Sequence, residues 1–532
     1  MTPRYARWIV IAAAAVAVLV AAAGRGDPEV AAEQPELVLR YLYSTDATDL
    51  LVPLINRFNR ETHRLGGREI RIDGTDLTSG EAEAALAAGD ERAELWTPAS
   101  SLWGELLNHS VSAEWVPAET PVSLVYSTQV IAMWKPLALA LGWPKRTIRW
   151  SDILDLATGE RTWDDYGYPE YGEFLLGHTN PGFSTSGLSA VASHYYAVTG
   201  RRSGLSLAHV QRPDVRAAVR KIERSIVHQG ETAGNLIDKM LKYDVGYAHA
   251  VYVQETTLLR EPQATELVAI EPADGTFVTD YPLIVMAAPW VAADARTAAR
   301  KFRRWLDPKI TAKNAAESGF RIRRPTGLTE LARPEPEVFA AIQGAWHEDR
   351  KPANIVLVVD TSKSMGEDGR LRAAKQALLS FLRELSQRDR IALITSGDSI
   401  TANVPLGVLG TRRPAVSRAI LGLFPNGELP VYPAVSRALE SLRALDDPNR
   451  INAVVVLSDG AGPTDVGRSE LLRKIAAEPV TEGTSVRIFT VAYGQPPDAE
   501  ALRQIASDSD GLFFTGAPED INAVYQKILS YF

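Results

Sequence analysis

The run IVLVVDTSKSM, residues 355 to 365, constrains this chain more than any other feature of its sequence. An apolar, β-branched strand ends on Asp360, and Ser362 and Ser364 follow at alternate positions. A glycine-bracketed turn and a helix come next. That order gathers one carboxylate and two hydroxyls at the carboxyl end of a central strand, the edge at which open α/β sheets bind their ligands. Hard oxygen donors of this kind suit Mg2+, Mn2+ or Ca2+ and suit zinc poorly. The competing reading is that Asp and Ser simply cap the helix and order the turn.

The remainder of the chain narrows its class. At 532 residues it is too long for one ordinary domain, and two or three are expected. A net charge of -8 is spread over interspersed acids and bases. No basic stripe interleaved with aromatics suggests a nucleic-acid surface. There is no cysteine, which excludes disulfides, thiol catalysis and cysteine-ligated metals. The eight histidines are scattered, without an H-x-x-x-H pair. No G-x-S-x-G, no Walker loop and no carboxylate constellation points to catalysis, so an enzyme is not expected.

Arg4 and Arg7 precede an uncharged run from Trp8 to Gly24, rich in Ala and Val. A basic flank before an apolar stretch of this length predicts an export signal or a single membrane anchor within residues 1–26. Either places the rest of the chain outside the cytoplasm, in the cell envelope or secreted.

After a polar linker at 27 to 36, the pattern becomes mixed α/β. LVLRYLYS and REIRIDG read as strands, and DLLVPLINRFNRET and GEAEAALAAGDER as helices. The alternation argues for parallel βαβ units. PVSLVYSTQVIAMW (121 to 134) and YPLIVMAAPW (281 to 290) read as two long strands crossing between lobes, the layout of a hinged, two-lobed binding protein. Prolines 325, 334, 336 and 352 mark a second linker over 331–352. A doubly wound α/β domain follows over 353–532, with strands NIVLVVD, RIALIT, INAVVVLSD and VRIFTVAY.

In that last domain, D-x-S-x-S at Asp360, Ser362 and Ser364, LSDG ending on Asp459 and Gly460, and PNGELPVYPAVSRAL at 425 to 439 resemble von Willebrand factor type A domains. The resemblance implies a Rossmann-like fold that contacts a protein partner, with a metal site formed by Asp360, Ser362, Ser364 and, through water, Asp459. It also implies a threonine ligand in the third loop, where this chain has Leu429. A leucine cannot donate to a hard cation, so Mg2+ (or Mn2+ or Ca2+) would be held more weakly unless water or the adjacent Glu428 fills the gap.

Residues 36 to 330 resemble type 2 bacterial extracytoplasmic solute-binding proteins. The segments carrying this are YSTDATDLL, ELWTPASSLW, GHTNPGFSTSGLSAV and IEPADGTFVTDYPLIV. Ser184, Thr185 and Ser186 precede a helix starting near Gly187, where hydroxyls and free backbone N–H groups attract anions or polar oxygens. Ser44 and Thr45 stand at a second strand-to-helix turn that could face the same cleft. Plain N-capping is the alternative for both. Trp96 and Thr97 are candidate cleft residues, as are Tyr247, Tyr252 and Glu255, whereas Trp103 and Trp134 read as core. The expected function is an exported, membrane-anchored binding protein that joins a small-solute cleft to a type A protein-interaction domain. The alternative is an envelope scaffold or adhesion protein that binds no ligand.

Overall fold

The computed structural model describes residues 36–118, 122–230, 232–447, 449–460, 466–477, 485–494, 499–529 and 531–532. The N-terminal segment expected to direct export lies outside the described residues. Among the described residues no helix is long and apolar enough to cross a membrane.

The first lobe is built on β1 (Leu37–Ser44), flanked in parallel by β2 (Arg68–Leu77) and β3 (Leu95–Thr97). Leu37, Leu39 and Tyr41 of β1 are buried, with exposed Val38 and Arg40 between them, the two-residue period of a sheet. Helix α1 (Thr48–Arg60) buries Leu50, Leu51, Leu54, Ile55 and Phe58 on one face. Helix α2 (Ser79–Ala88) opens on a reciprocal cap between Thr78 and Glu81, and helix α3 (Leu102–Val111) packs against it.

The chain then crosses to the second lobe. Only Ser127–Trp134 (β4) of the first expected long strand is regular, and only Ile284–Val285 of the second. Pro282 has no N–H to give a ladder, and Tyr281 sits at φ 33, outside the extended region. The crossing itself is real: Leu124 N–H donates to Tyr281 at 3.0 Å and Leu283 N–H to Val122 at 3.1 Å, so the segments run antiparallel side by side. In the second lobe β4 pairs antiparallel with Ala250–Gln254, which lies parallel to β5 (Leu176–Thr179); β6 denotes Ala250–Gln254. Helices α4 (Thr185–Thr199) and α5 (Pro213–Arg224) cover this sheet.

The stretch expected as a second linker contains helix α6 (Pro336–Asp349). Its prolines, read from sequence as linker residues, prepare a helix start: Pro336 is at the first helical position, where the missing N–H has no intrahelical partner to lose. Val338, Phe339, Ile342 and Trp346 are buried in the same apolar core that runs through lobe one and into Leu188, Val191 and Tyr195 of α4. The helix thus straps the two lobes together.

The C-terminal domain has a six-stranded sheet. β7 (Ala353–Asp360) is flanked by β8 (Arg390–Ser396) and β10 (Ile451–Ser458), with β9 (Ile400–Val408) on one edge and β11 (Val486–Tyr493) and β12 (Phe513–Gly516) on the other. All pairings are parallel except β8 with β9. Ile355, Leu357 and Val359 enter one core, and Val356 and Val358 enter the other, so β7 is buried on both faces. The four central strands match the four expected runs. β9 and β12 were not among them. β9 is an edge strand with Pro405 and only Val404 buried, a position that tolerates proline. Helices α7 (Arg370–Glu384), α8 (Leu409–Leu421) and α9 (Tyr432–Arg443) pack on the sheet.

Candidate functional site

Two separate sites emerge, one between the lobes and one on the rim of the C-terminal sheet. Ser44, Thr45, Ser184, Thr185 and Ser186 stand together around one small cavity, although they come from different lobes. Thr78, Ser79, Asp46 and Thr232 complete its wall. Sequence reading did not single out these last four. Thr78 and Ser79 open α2, so a second helix N-terminus faces that of α4, and the S/T-x-x-E pattern at Thr78 was the available signal.

Within this cleft the hydroxyls differ in what they do. Ser184 caps α4, its Oγ accepting from Ser186 N–H at 3.2 Å and from Thr179 Oγ1 at 2.8 Å. Thr185 Oγ1 accepts from the Trp103 indole at 2.8 Å, a bond that spans the lobes. Trp103 is buried, as expected of a core residue, but its polar edge closes the cleft. Ser44 Oγ accepts weakly from Asp46 N–H at 3.4 Å. Ser186 Oγ is buried and has no hydrogen-bond partner.

Asp46 adds a carboxylate to the site. Burial pushes its pKa up, against the Arg260 charge and hydrogen bonds from Gln254 and Ser44 that favour the ionised form. Gln254 Nε2 donates to it at 2.8 Å. The lobes meet tightly here: Gly80 N–H donates to Phe183 at 2.8 Å. A Cβ on Gly80 would lie 2.2 Å from the Gly182 carbonyl oxygen. The enclosed space is about 10 Å³, on the order of one water molecule. A larger solute can enter only if the lobes part.

The other residues considered for the cleft are placed elsewhere. Trp96 and Thr97 are buried, and Thr97 Oγ1 is 2.8 Å from the Tyr41 hydroxyl. Tyr247 stacks near Tyr243 at 6.0 Å, on the side facing the C-terminal domain, where Arg487 and Asp510 bear on its hydroxyl. Tyr252 is buried against Ser193 and Thr276, and Glu255 pairs with Arg321 at 2.8 Å. Trp134 is half-buried and donates to the Ala248 carbonyl.

On the rim of the C-terminal sheet, Asp360, Ser362 and Ser364 lie where the strand order places them, at the carboxyl end of β7. Asp360 accepts from Ser362 N–H at 2.8 Å and from Ser458 Oγ at 2.6 Å. Burial, opposed by these two bonds and assisted by Asp459, pushes its pKa up to about 6. Ser362 and Ser364 have their Oγ atoms 3.0 Å apart. Asp459, at the end of β10, accepts from Arg370 Nη1 at 3.1 Å. Arg370 was not anticipated from sequence, because it opens α7 ten residues beyond Asp360 and only the fold brings it back over β10.

The third loop closes on the first. Thr361 Oγ1 donates within 3.1 Å of Asn426 Oδ1, and Lys363 N–H donates to Gly427 at 3.1 Å. Gly427 has φ +68, and a Cβ there would lie 2.1 Å from Asp398 N, so only glycine allows this approach. Glu428 is exposed and faces Lys363, 3.3 Å away, which leaves it on the outside of the loop. Leu429 contributes no oxygen from its side chain and is 38% exposed. Phe424 nearby is 66% exposed. Among the described residues no group of three or more His, Asp or Glu is placed to hold a metal, so a cation on this rim would depend on the serine hydroxyls.

With this geometry established, similarity to other proteins is informative. The chain is 34% identical over 159 residues to the uncharacterized protein Rv2850c of Mycobacterium tuberculosis, covering 29% of this chain and 24% of that one. It is 23% identical over 478 residues to the uncharacterized protein Rv1836c of the same species, covering 82% of this chain and 67% of that one. The chain therefore spans about a quarter of the first relative and about two thirds of the second. A periplasmic thiamin binding protein superposes with a TM-score of 0.41 at 14% identity, covering 58% of this chain and 95% of its own. Residues 354–527 match the von Willebrand factor type A domain. Residues 39–321, more than half of the sequence, match the bacterial extracellular solute-binding proteins, and the chain belongs to that family.

Proposed function

We propose that the protein works outside the cytoplasm as a receptor with two modules: an interlobe cleft that takes a small polar solute, and a type A domain that engages a protein partner. The observation carrying the first half is the convergence of hydroxyls from both lobes at the N-terminus of α4, with the Ser186 Oγ buried there and unpartnered. Unsatisfied N–H groups at a helix start attract oxyanions and polar oxygens. Asp46 adds an acceptor, which favours a solute that also carries a hydroxyl or amine. Isothermal titration with sulfate, phosphate and small polyols tests this. Binding that weakens in Ser186→Ala and Ser184→Ala supports the site. Binding that is unchanged in both variants removes it.

For the type A domain, the partner surface is the rim around Asp360, where Phe424 and Leu429 offer exposed apolar contact. The oxygens of Asp360, Ser362 and Ser364 fit a hard divalent cation, with water completing its shell. Such a cation would supply a positive charge for a partner carboxylate. Asp459 would stand behind it and remain tied to Arg370. The measurement is a thermal shift with Mg2+, Mn2+ and Ca2+ in wild type and Asp360→Ala. A shift lost in the variant supports a metal-dependent rim. Absence of any shift favours the second reading, a scaffold whose rim binds by apolar contact alone, for which the leucine at 429 is the specific observation.

A further inference from the structure

Helix α5 carries Arg216, Arg220 and Arg224 at intervals of four, and all three line one cavity. Facing them from the type A domain are Arg383 in the last turn of α7, Arg388 just before β8, and Arg413 in α8. The cavity between them has a volume of about 720 Å³ and is closed on one side by the C-terminal end of α6. That is the size range of small-molecule sites.

Its charge is out of balance. Six guanidinium groups line it with two carboxylates, those of Glu348 and Asp349. From behind the wall Asp389, itself paired with Arg350, acts on Arg388 and Arg413, and Glu384 acts on Arg413. Cations still outnumber carboxylates here, in a chain whose overall charge is -8. Both lining carboxylates are already engaged. Asp349 accepts from Arg216 Nε at 2.9 Å and Arg220 Nε at 3.0 Å, and Glu348 accepts from Arg216 Nη2 at 2.9 Å. Among the described residues none of Arg224, Arg383, Arg388 and Arg413 has a carboxylate within ion-pair distance. Arg388 and Arg413 donate only to backbone carbonyls, and Arg413 Nη1 is buried with no acceptor at all. Burial first, and then the neighbouring Arg220 charge, pull the Arg388 guanidinium below its ordinary pKa, with Asp349 and Asp389 opposing. A buried charged donor without an acceptor is costly, and an anion entering here would remove that cost. Guanidinium forks match the geometry of phosphate oxygens in particular.

We propose that this junction cavity binds a small oxyanion of phosphate type carrying two or more negative charges, gripped by Arg224 from the solute-binding module and by Arg383, Arg388 and Arg413 from the type A domain. A single negative charge would not balance four unpaired guanidiniums, hence the multivalent ligand. Because each module supplies part of the grip, the anion would also hold the two modules in one relative orientation.

Pyrophosphate is the probe, titrated calorimetrically into the full chain at fixed ionic strength. One saturable site is expected, weakened roughly tenfold or more for each guanidinium removed in Arg224→Gln and Arg388→Gln. Arg224 pairs with no carboxylate, so Arg224→Gln should melt as the wild type does without pyrophosphate. Arg388→Gln also loses its bonds to the Glu348 and Arg350 carbonyls and is titrated below its own melting transition. Only the wild type should gain its full thermal stability with pyrophosphate. Ser186→Ala, in the cleft, should leave the binding intact. The proposal is overturned by absence of saturable binding, by undiminished binding in the arginine variants, or by loss in Ser186→Ala instead. Vesicles containing phosphatidylglycerol, added in parallel, separate the sources. Cosedimentation abolished by the same arginine variants identifies a lipid headgroup, whereas pyrophosphate binding without cosedimentation identifies a soluble anion.

Discussion

The indole N–H of Trp346 donates to the carboxylate of Glu223 at 3.0 Å, so the strap helix and the second lobe share one fully buried charge. His178 Nε2 lies 3.2 Å and His194 Nδ1 3.0 Å from the same carboxylate. Glu223→Gln keeps the shape and removes the charge that both rings face. Breaking a buried pair from one side costs about 3–5 kcal/mol, and we expect a loss toward the lower end. Urea unfolding followed by tryptophan fluorescence measures it, and a loss under about 1 kcal/mol would mean that the charge is not structural.

The same cluster sets a pH dependence. Burial pushes Glu223 up, but the two histidines outweigh it and hold the carboxyl at about 2 against an ordinary 4.5. A depressed carboxyl contributes stability that is complete above its unfolded value and is lost as pH falls toward its folded one. Burial likewise lowers His194, whose contribution is present above its ordinary value of 6.5 and is lost on acidification. His178 has the opposite sign: burial opposes its charge, Glu223 overrides burial and raises it, and its contribution fades as pH rises through that raised value. The expected result is that the stability gap between wild type and Glu223→Gln narrows steadily from pH 4.5 toward 2. A gap constant over that window would contradict the assignment.

Gly80→Ala probes the closed cleft. The added Cβ would meet Gly182 O at 2.2 Å and Phe183 Cα at 2.7 Å, both backbone atoms that cannot swing away. Overpacking of this kind costs about 1–3 kcal/mol and should separate the lobes. Small-angle scattering should show a larger radius of gyration, with the far-ultraviolet dichroism unchanged. An unchanged radius would mean that the lobes are not closed in solution.

Leu429→Thr supplies the oxygen that the rim lacks. If Asp360, Ser362 and Ser364 hold a divalent cation, one further donor should tighten Mg2+ or Mn2+ binding by roughly tenfold. Calorimetric titration of wild type and variant reads this directly. Equal or absent binding in both would count against the rim as a metal site.

Much of the fold was legible in the sequence because the strongest runs are central strands buried on both faces. NIVLVVD and INAVVVLSD read as strands at the residues where they occur as such, give or take one. The edge strand Ile400–Val408 was not legible, since its pairing, not its own pattern, makes it a strand. In the cleft, the five serine and threonine candidates do meet. What sequence could not supply was their partners: Asp46 is unremarkable in a linear reading, Thr78 shows there only as the start of a capping box, and Arg370 reaches Asp459 only because β7 and β10 pair side by side. The prolines around 334 misled for a physical reason, as proline both interrupts a chain and begins a helix.

Because α6 belongs to the core that runs through lobe one and α4, parting the lobes disturbs Val338, Phe339, Ile342 and Trp346 as well as the cleft contacts. For the solute proposed above, entry and exit would then wait on release of the strap. With exchange gated in that way, occupancy of the cleft would follow past exposure more closely than present concentration.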